Sequence, residues 1–459
     1  MPSSGIRASI FNAESQKIMA ENTEIRNWYL NLYKDFENRL NGEKSRPVHK
    51  LRKAAIEKFA EIDFPNLHQE DWRFTDVSPI LGHTFAYASK NAAGTISAGQ
   101  LSPFLFEGMK SHRIVFVNGF YSRELSKKLP LPKGAEIGSL AEAMKEDDEP
   151  ISELIARRLD PGTDAFTALN TAFTLDGAYI NLRDGTALED PVHFIFISTG
   201  DEKSIAQPRN LIVAGKNSQV RFIEHYIALQ QGIYFTNSVT EIEAGANASV
   251  DGLKIQSENS ESYHVSTTSA FVGNDANYES HAVSNGAKIY RQNINVTLGG
   301  EGGNTSLEGL YLTAGEQLSD THSMIDHAAP NCTSGEHYKG ILDDKSRAVF
   351  NGKILVRQGA QKTNSYQENR NILLSNEAKV DTKPQLEIFA DDVKCSHGAT
   401  VGQLSRESMF YLRSRGIGEE HAKLILIYAF ASDVLRSIKQ DKVREELEHV
   451  LSTRFLKGI

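Results

Sequence analysis

Cysteine is almost missing: the 459-residue chain has two, Cys332 and Cys395. Two thiols cannot make a disulfide framework in a chain this long, which argues against an oxidising compartment and for a reducing cytoplasm. No window approaches the roughly 18 uncharged apolar residues that a membrane-spanning helix needs. The first twenty residues carry Arg7, Glu14 and Lys17 where a secretory leader would need an apolar core. Basic excess is missing too: 50 Lys and Arg face 59 Asp and Glu, a net charge of −9, so no nucleic-acid or other polyanionic partner is expected. No Gly-x-x-x-x-Gly-Lys-Ser/Thr loop occurs, nor a Gly-x-Ser-x-Gly elbow, so neither nucleotide hydrolysis nor a hydrolase triad is indicated. The glycine-rich run from Leu298 to Asn304 lacks the lysine and following helix of a phosphate loop and reads as a turn between strands.

A chain of this length exceeds what one core usually serves, and its texture changes twice. From Ser15 to Leu40 apolar residues including Ile25, Trp28, Tyr29, Leu32, Tyr33, Phe36 and Leu40 recur at threes and fours, an amphipathic helical period. Val48, Leu51, Ala55, Ile56 and Phe59 continue it after Pro47, and both tryptophans lie in this region, which suggests a helical domain with its own core. From about Val115 the pattern becomes short runs rich in Val, Ile, Phe, Tyr and Thr, such as 192–198, 220–229, 238–242 and 348–356, with one helical insert near 151–159. The turn words Gly215-Lys-Asn-Ser, Gly245-Ala-Asn-Ala and Gly273-Asn-Asp-Ala recur at near-regular intervals, as do Leu342-Asp-Asp-Lys and Leu374-Ser-Asn-Glu. A stacked β-solenoid and a β-sandwich both accommodate such strands. Beyond Gln403 helices return, one ending at Gly416 and a longer one over 419–440 whose middle is apolar nearly all round. The expected division is 1–112 helical, 113–404 β and 405–459 helical.

Chemistry is expected in the segment Asp391 to Gly402. Strand alternation would put Cys395 and His397 on one face, a thiolate and an imidazole suited to iron, zinc or copper(I); the plainer reading is a packed thiol beside a hydrogen-bonded histidine. A second group, His322, His327, Cys332 and His337, falls at intervals of five. Odd intervals alternate faces, and the compact pairing of a zinc site is missing, so a structural role is expected there.

Four stretches resemble the SufB/SufD family of iron–sulfur cluster assembly proteins: Glu70-Asp-Trp-Arg-Phe-Thr-Asp76, Val115 to Tyr121, Asp326 to Ser334 with Tyr338-Lys-Gly340, and Ala390 to Leu404 with Phe410 to Ile417. The resemblance runs from about residue 65 to the C-terminus. Cys-Ser-His-Gly-Ala stands where the SufB branch typically has Glu-His-Glu-Ala, so the SufD branch is favoured over a SufB-like scaffold. The resemblance implies a mainly β fold, a right-handed parallel β-helix flanked by N- and C-terminal helical domains. It also implies a non-catalytic cytoplasmic scaffold that pairs with a SufB-like homologue and docks a SufC-like ATPase, self-pairing into a homodimer being the alternative for the isolated chain. No permanent cofactor is implied, only transient iron or an iron–sulfur cluster at the SufB interface. His397 then becomes the first candidate ligand and Cys395 a supporting one, while Leu424, Ile427, Tyr428 and Phe430 become candidates for the ATPase-docking face. A β-helix carbohydrate-active enzyme using acidic pairs such as Asp343-Asp344 and Asp391-Asp392 is the alternative by fold analogy.

Overall fold

The computed structural model describes residues 4–40, 43–87, 96–146, 148–200 and 203–455. The outer limits of the first and last expected segments, 1–3 and 456–459, lie outside them. The architecture is a parallel β-solenoid of about seven turns with helical regions before and after it. Its strands lie in two facing sheets, and from Ala178 onward successive strands in each sheet pair in parallel, one coil on the next.

The recurring turn words mark the corners of these coils. Asn217, Asn247 and Asp275 all adopt positive φ, between 51° and 57°, where Asn and Asp are tolerated better than most residues. Each amide donates to a carbonyl of the next coil: Asn217 to Ala246 at 2.9 Å, Asn247 to Asn274 at 2.8 Å and Asp275 to Glu301 at 2.8 Å. The interval between turn words is therefore the length of one coil. The run 192–198 coincides with a strand, and 220–229, 238–242 and 348–356 fall on the strands Gln219–Ala228, Tyr234–Ala244 and Arg347–Val356. The helical insert is shorter than 151–159: it is Asp148–Leu154, with Ala156 at φ 60° just beyond it. A second helix, Ala165–Ala172, went unforeseen because it spans barely two turns and all its residues are buried; the Asp164 carboxylate caps it through the amides of Phe166 and Thr167.

A separate N-terminal core is not what forms. Tyr29, Tyr33, Phe36, Phe59, Phe64 and Trp72 pack with Phe166 and Phe173 and with Phe235, Tyr263, Val265 and Ile289 of the solenoid in one cluster. Two amphipathic helices cannot cover all their aromatic rings against each other, and the outer face of the sheet supplies the missing surface. One buried ion pair fastens this arm. Arg291 Nη1 donates to Asp320 Oδ2 at 2.5 Å and to the Asp71 carbonyl at 2.9 Å, and its guanidinium lies 4.1 Å from the Trp72 ring centroid. Thr75 donates to the same carboxylate at 2.5 Å. Burial alone would raise the Asp320 pKa, but Arg291 first, then His322 and Thr75, bring it down to about 2. A depressed carboxyl contributes stability above its unfolded pKa and loses it as pH falls toward 2.

Removing one partner strands the other charge in the interior. Arg291→Met is therefore expected to cost about 3–5 kcal/mol by urea titration, and the double variant Arg291→Met/Asp320→Leu to recover most of that loss. A double variant as unstable as the single one would show that packing on Trp72, and not the charge, is what matters.

Candidate site at the open end of the solenoid

The two ends of the solenoid are built differently. At the first coils the parallel ladder gives way to antiparallel pairs, 112–117 with 120–127 and 135–139 with 178–182. At the last coil, among the described residues, Lys379–Ile388 and Val393–Gly402 each pair only with the preceding coil, and in each sheet that strand is the edge. Burial follows pairing. All but one residue of Tyr234–Ala244 is buried, whereas neither terminal strand has a buried residue.

Cys395 and His397 lie on this final strand, in register with Ser365 and Gln367. Alternation turns Val393, Cys395, His397, Ala399 and Val401 to the lumen side, where their counterparts Thr363, Ser365, Gln367, Asn369 and Asn371 are all buried. A column enclosed in one coil is thus open in the next. Cys395 is half-buried against Ile354, Val356, Ala360 and Ala390, while His397 is exposed. Burial raises the Cys395 thiol pKa, with a backbone hydrogen bond to Ser365 acting the other way, so in the isolated chain it is a protonated thiol. Binding a soft metal would displace that proton. Behind His397 the same column continues through Gln367 to Glu336, with Gln367 Nε2 donating to the carboxyl oxygen at 2.6 Å. Among its charged residues the edge around the pair carries exposed apolar side chains, Phe389 62% and Val401 47% exposed, a signal the sequence reading missed.

The other four candidates lie on the helix Glu419–Ser437, which packs with Asp441–Phe455 against the outer face of one sheet. Ile427 is fully buried there beside Ala431, Val434 and Leu435, so its side chain is committed within the chain. Phe430 is partly buried and its carbonyl accepts a 2.7 Å hydrogen bond from Lys339. Leu424 is half-buried, and Tyr428 faces solvent with Ile425. The preceding helix, Arg406–Ser414, adds Phe410 and Tyr411, 74% and 56% exposed, which the sequence reading did not single out as site residues. Gly416, at φ 85°, ends that helix as expected.

The four residues spaced by five are dispersed. His322 bonds Asp320 at 3.1 Å beneath the N-terminal arm, and His337 lies between Glu308 and Glu368 on the outer face of the other sheet. His327 is buried with Nε2 2.8 Å from Ser334 Oγ, and Cys332 is buried at a corner with its thiol toward the Gly300 carbonyl. The run 298–304 is the turn between two strands, as its composition suggested.

Comparison with known proteins defines the class. The chain matches the SufBD core domain of the SUF iron–sulfur cluster assembly system over residues 196–430 and the SufBD N-terminal region over 23–194. It is 37% identical to a SufBD-family iron–sulfur cluster assembly protein of Synechocystis over 88% of this chain and 90% of that one. It is 31% identical to iron–sulfur cluster assembly protein SufD of Escherichia coli, over 85% of this chain and 89% of that protein. The chain belongs to the SufB/SufD family of iron–sulfur cluster assembly proteins, whose members are assembly scaffolds and not enzymes in the usual sense. Among the described residues no helix is long and apolar enough to cross a membrane.

Glu336 gives the column a measurable signature. Burial raises its pKa to about 7, against the lowering hydrogen bond from Gln367. The folded state thus keeps a proton that the unfolded state releases near pH 4.3, and stability falls as pH rises between those values, by on the order of 3 kcal/mol. Glu336→Gln is expected to be the more stable form at pH 8 and to flatten that slope in chemical denaturation. An unchanged slope would place the proton elsewhere.

Proposed function

We propose that the chain acts as a SufD-like scaffold subunit whose open last coil pairs edge to edge with a SufB-like homologue. The observation that carries this reading is the pair of terminal strands with one neighbour each, bordered by exposed Phe389 and Val401. Unpaired strand edges are templates for another strand, and a homologous solenoid offers the same coil geometry. The E. coli relative carries the name SufD, which supports that branch.

In this reading the Cys395 and His397 side chains project from the open lumen toward the joint and supply ligands to iron or a nascent cluster, which is cargo and not a resident cofactor. Closing the joint would remove the site from water and exclude competing oxidation. A SufC-like ATPase would dock on Leu424, Tyr428, Ile425, Phe410 and Tyr411, with Phe430 and Ile427 fixing the helix from beneath. Nucleotide hydrolysis then belongs to that partner, in the cytoplasm. The homodimer of the isolated chain would use the same edge.

Substitutions at exposed residues separate the two surfaces. Phe389→Asp/Val401→Asp is expected to abolish pairing with the SufB-like chain in co-purification while leaving the ATPase bound, and Phe410→Asp/Tyr411→Asp to do the reverse. Both should unfold within about 0.5 kcal/mol of the native chain, because the altered side chains are exposed. Retained SufB pairing in the first variant would move the interface away from this end.

His397→Ala is expected to keep the fold and the partnership but to lower iron content and complementation of a strain lacking the native protein. Cys395→Ser should do so more weakly, because its thiol is already partly engaged in packing. Normal cluster formation by His397→Ala at normal stability would remove the pair from the mechanism.

A further inference from the structure

On the outer face of the sheet that carries the C-terminal helices, two adjacent coils bring Asp251 against a pair of groups, Glu279 and His281, about one coil further along the chain. Asp251 and Glu279 are direct partners in the parallel ladder, and His281 stands two residues beyond Glu279. Their ligand-capable atoms lie within 4.8 Å of one another. Asp251 and His281 are each 4% exposed, under the apolar roof that Val434, Leu435 and Ile438 make over Leu253 and Val283.

The hydrogen bonding around His281 determines which of its nitrogens faces the carboxylates. Ser437 Oγ donates its proton to the Val434 carbonyl at 2.7 Å, so toward His281 Nδ1, 3.2 Å away, it can only accept. On that pattern we assign the ring proton to Nδ1, so that in the neutral ring Nε2 presents a lone pair. That lone pair points into the cluster, 3.7 Å from Asp251 Oδ1 and 3.9 Å from Glu279 Oε2, too far for hydrogen bonds. Among the described residues Nε2 of His281 is buried without a hydrogen-bond partner, as is Oδ2 of Asp251, which has only the Lys439 ammonium 3.4 Å away. Three electron-pair donors converging on one buried point repel one another, and the single ammonium of Lys439 beside the two carboxylates offsets that repulsion only in part.

We infer that Asp251, Glu279 and His281 form a binding site for a divalent transition-metal ion of the zinc, iron(II) or manganese(II) type. Imidazole and carboxylate donors suit these ions, and the lack of thiolate disfavours copper(I). Donors about 2.0–2.2 Å from a tetrahedral ion lie about 3.4 Å apart, so contraction by a few tenths of an ångström would close the observed 3.7 and 3.9 Å separations. The Ser437 hydroxyl supplies the outer hydrogen bond that orients a ligating histidine. Lys439, from the segment joining the two C-terminal helices, is the built-in competitor. Its ammonium is 2.6 Å from Glu279 and 3.4 Å from Asp251, and its side chain is 45% exposed, so it can swing outward and open a path for the ion. One ammonium leaves a net negative charge on two carboxylates, and a divalent ion in its place balances them. Bound there, the metal would fasten the C-terminal helices to the solenoid through His281 and Ser437, remote in the fold from the open end.

The test uses the full chain with Cys395→Ser and His397→Ala, which silences the thiol and imidazole of the open end. Zinc titration by calorimetry, with cobalt(II) absorption to report the donor set, is expected to show one site per chain. His281→Gln should weaken it about tenfold or more. Lys439→Ala should tighten it, since the competing ammonium is gone. Circular dichroism on each variant separates lost binding from lost fold, and the exposed Lys439 position decides the matter where His281→Gln fails to fold. No zinc bound by either the background chain or Lys439→Ala would overturn the assignment, as would affinity indifferent to both His281→Gln and Lys439→Ala.

Discussion

A parallel solenoid satisfies its backbone only by stacking: each coil hydrogen-bonds to the coil before and the coil after, and nothing within a coil can substitute. The constraint leaves two ends with unpaired amides and carbonyls, and much of this molecule is arranged around that fact. The first coils meet it with antiparallel strands. The last coil, among the described residues, has no further strand, and its lumen-facing column, enclosed one step earlier, opens to solvent with a thiol and an imidazole in it. Exposure of Cys395 and His397 is thus a consequence of position in the stack and not of any local irregularity of their strand.

Side faces of the solenoid obey a different rule. Each presents rows of residues one coil apart, so a row can be apolar and take a helix, or ionic and take a charged side chain from that helix. The outer face beneath the C-terminal helices does both: Leu253, Val283, Leu310 and Ile341 receive Val434, Leu435 and Ile438, while Lys339 meets Asp433 at 2.5 Å. Removing these helices would uncover that apolar face, so they belong to the solenoid's stability as well as to any docking role. The N-terminal arm uses the opposite sheet in the same way, with aromatic rings over Tyr263 and Ile289 and an arginine–aspartate pair at its fastening point.

Much of this was legible because strands and corners leave local marks. Runs such as 192–198 have the length and β-branched content of a strand, and an asparagine or aspartate recurs where the chain turns with positive φ. The odd spacing of His322, His327, Cys332 and His337 correctly separated them, since alternation is a property of each strand alone. The phase of the helix 419–437 was not legible, because apolar residues nearly encircle it; only the sheet it lies on commits Ile427 inward and leaves Tyr428 out. Nor was the grouping of Asp251 with Glu279 and His281, or of His337 with Glu308 and Glu368. Neighbours one coil apart in the stack are remote in sequence, and their pairing has no meaning until the coil length is known.

If the uncapped last coil is a pairing edge, its backbone amides change state when a partner strand arrives. Hydrogen exchange read by mass spectrometry addresses it directly, on the chain held dilute enough to be monomeric, before and after addition of a SufB-like homologue. Fast exchange is expected in Lys379–Ile388 and Val393–Gly402 of the monomer and strong protection of both strands in the complex, with the interior coils unchanged. Protection confined to the N-terminal arm or to the outer faces, with the two terminal strands exchanging as before, would contradict that pairing.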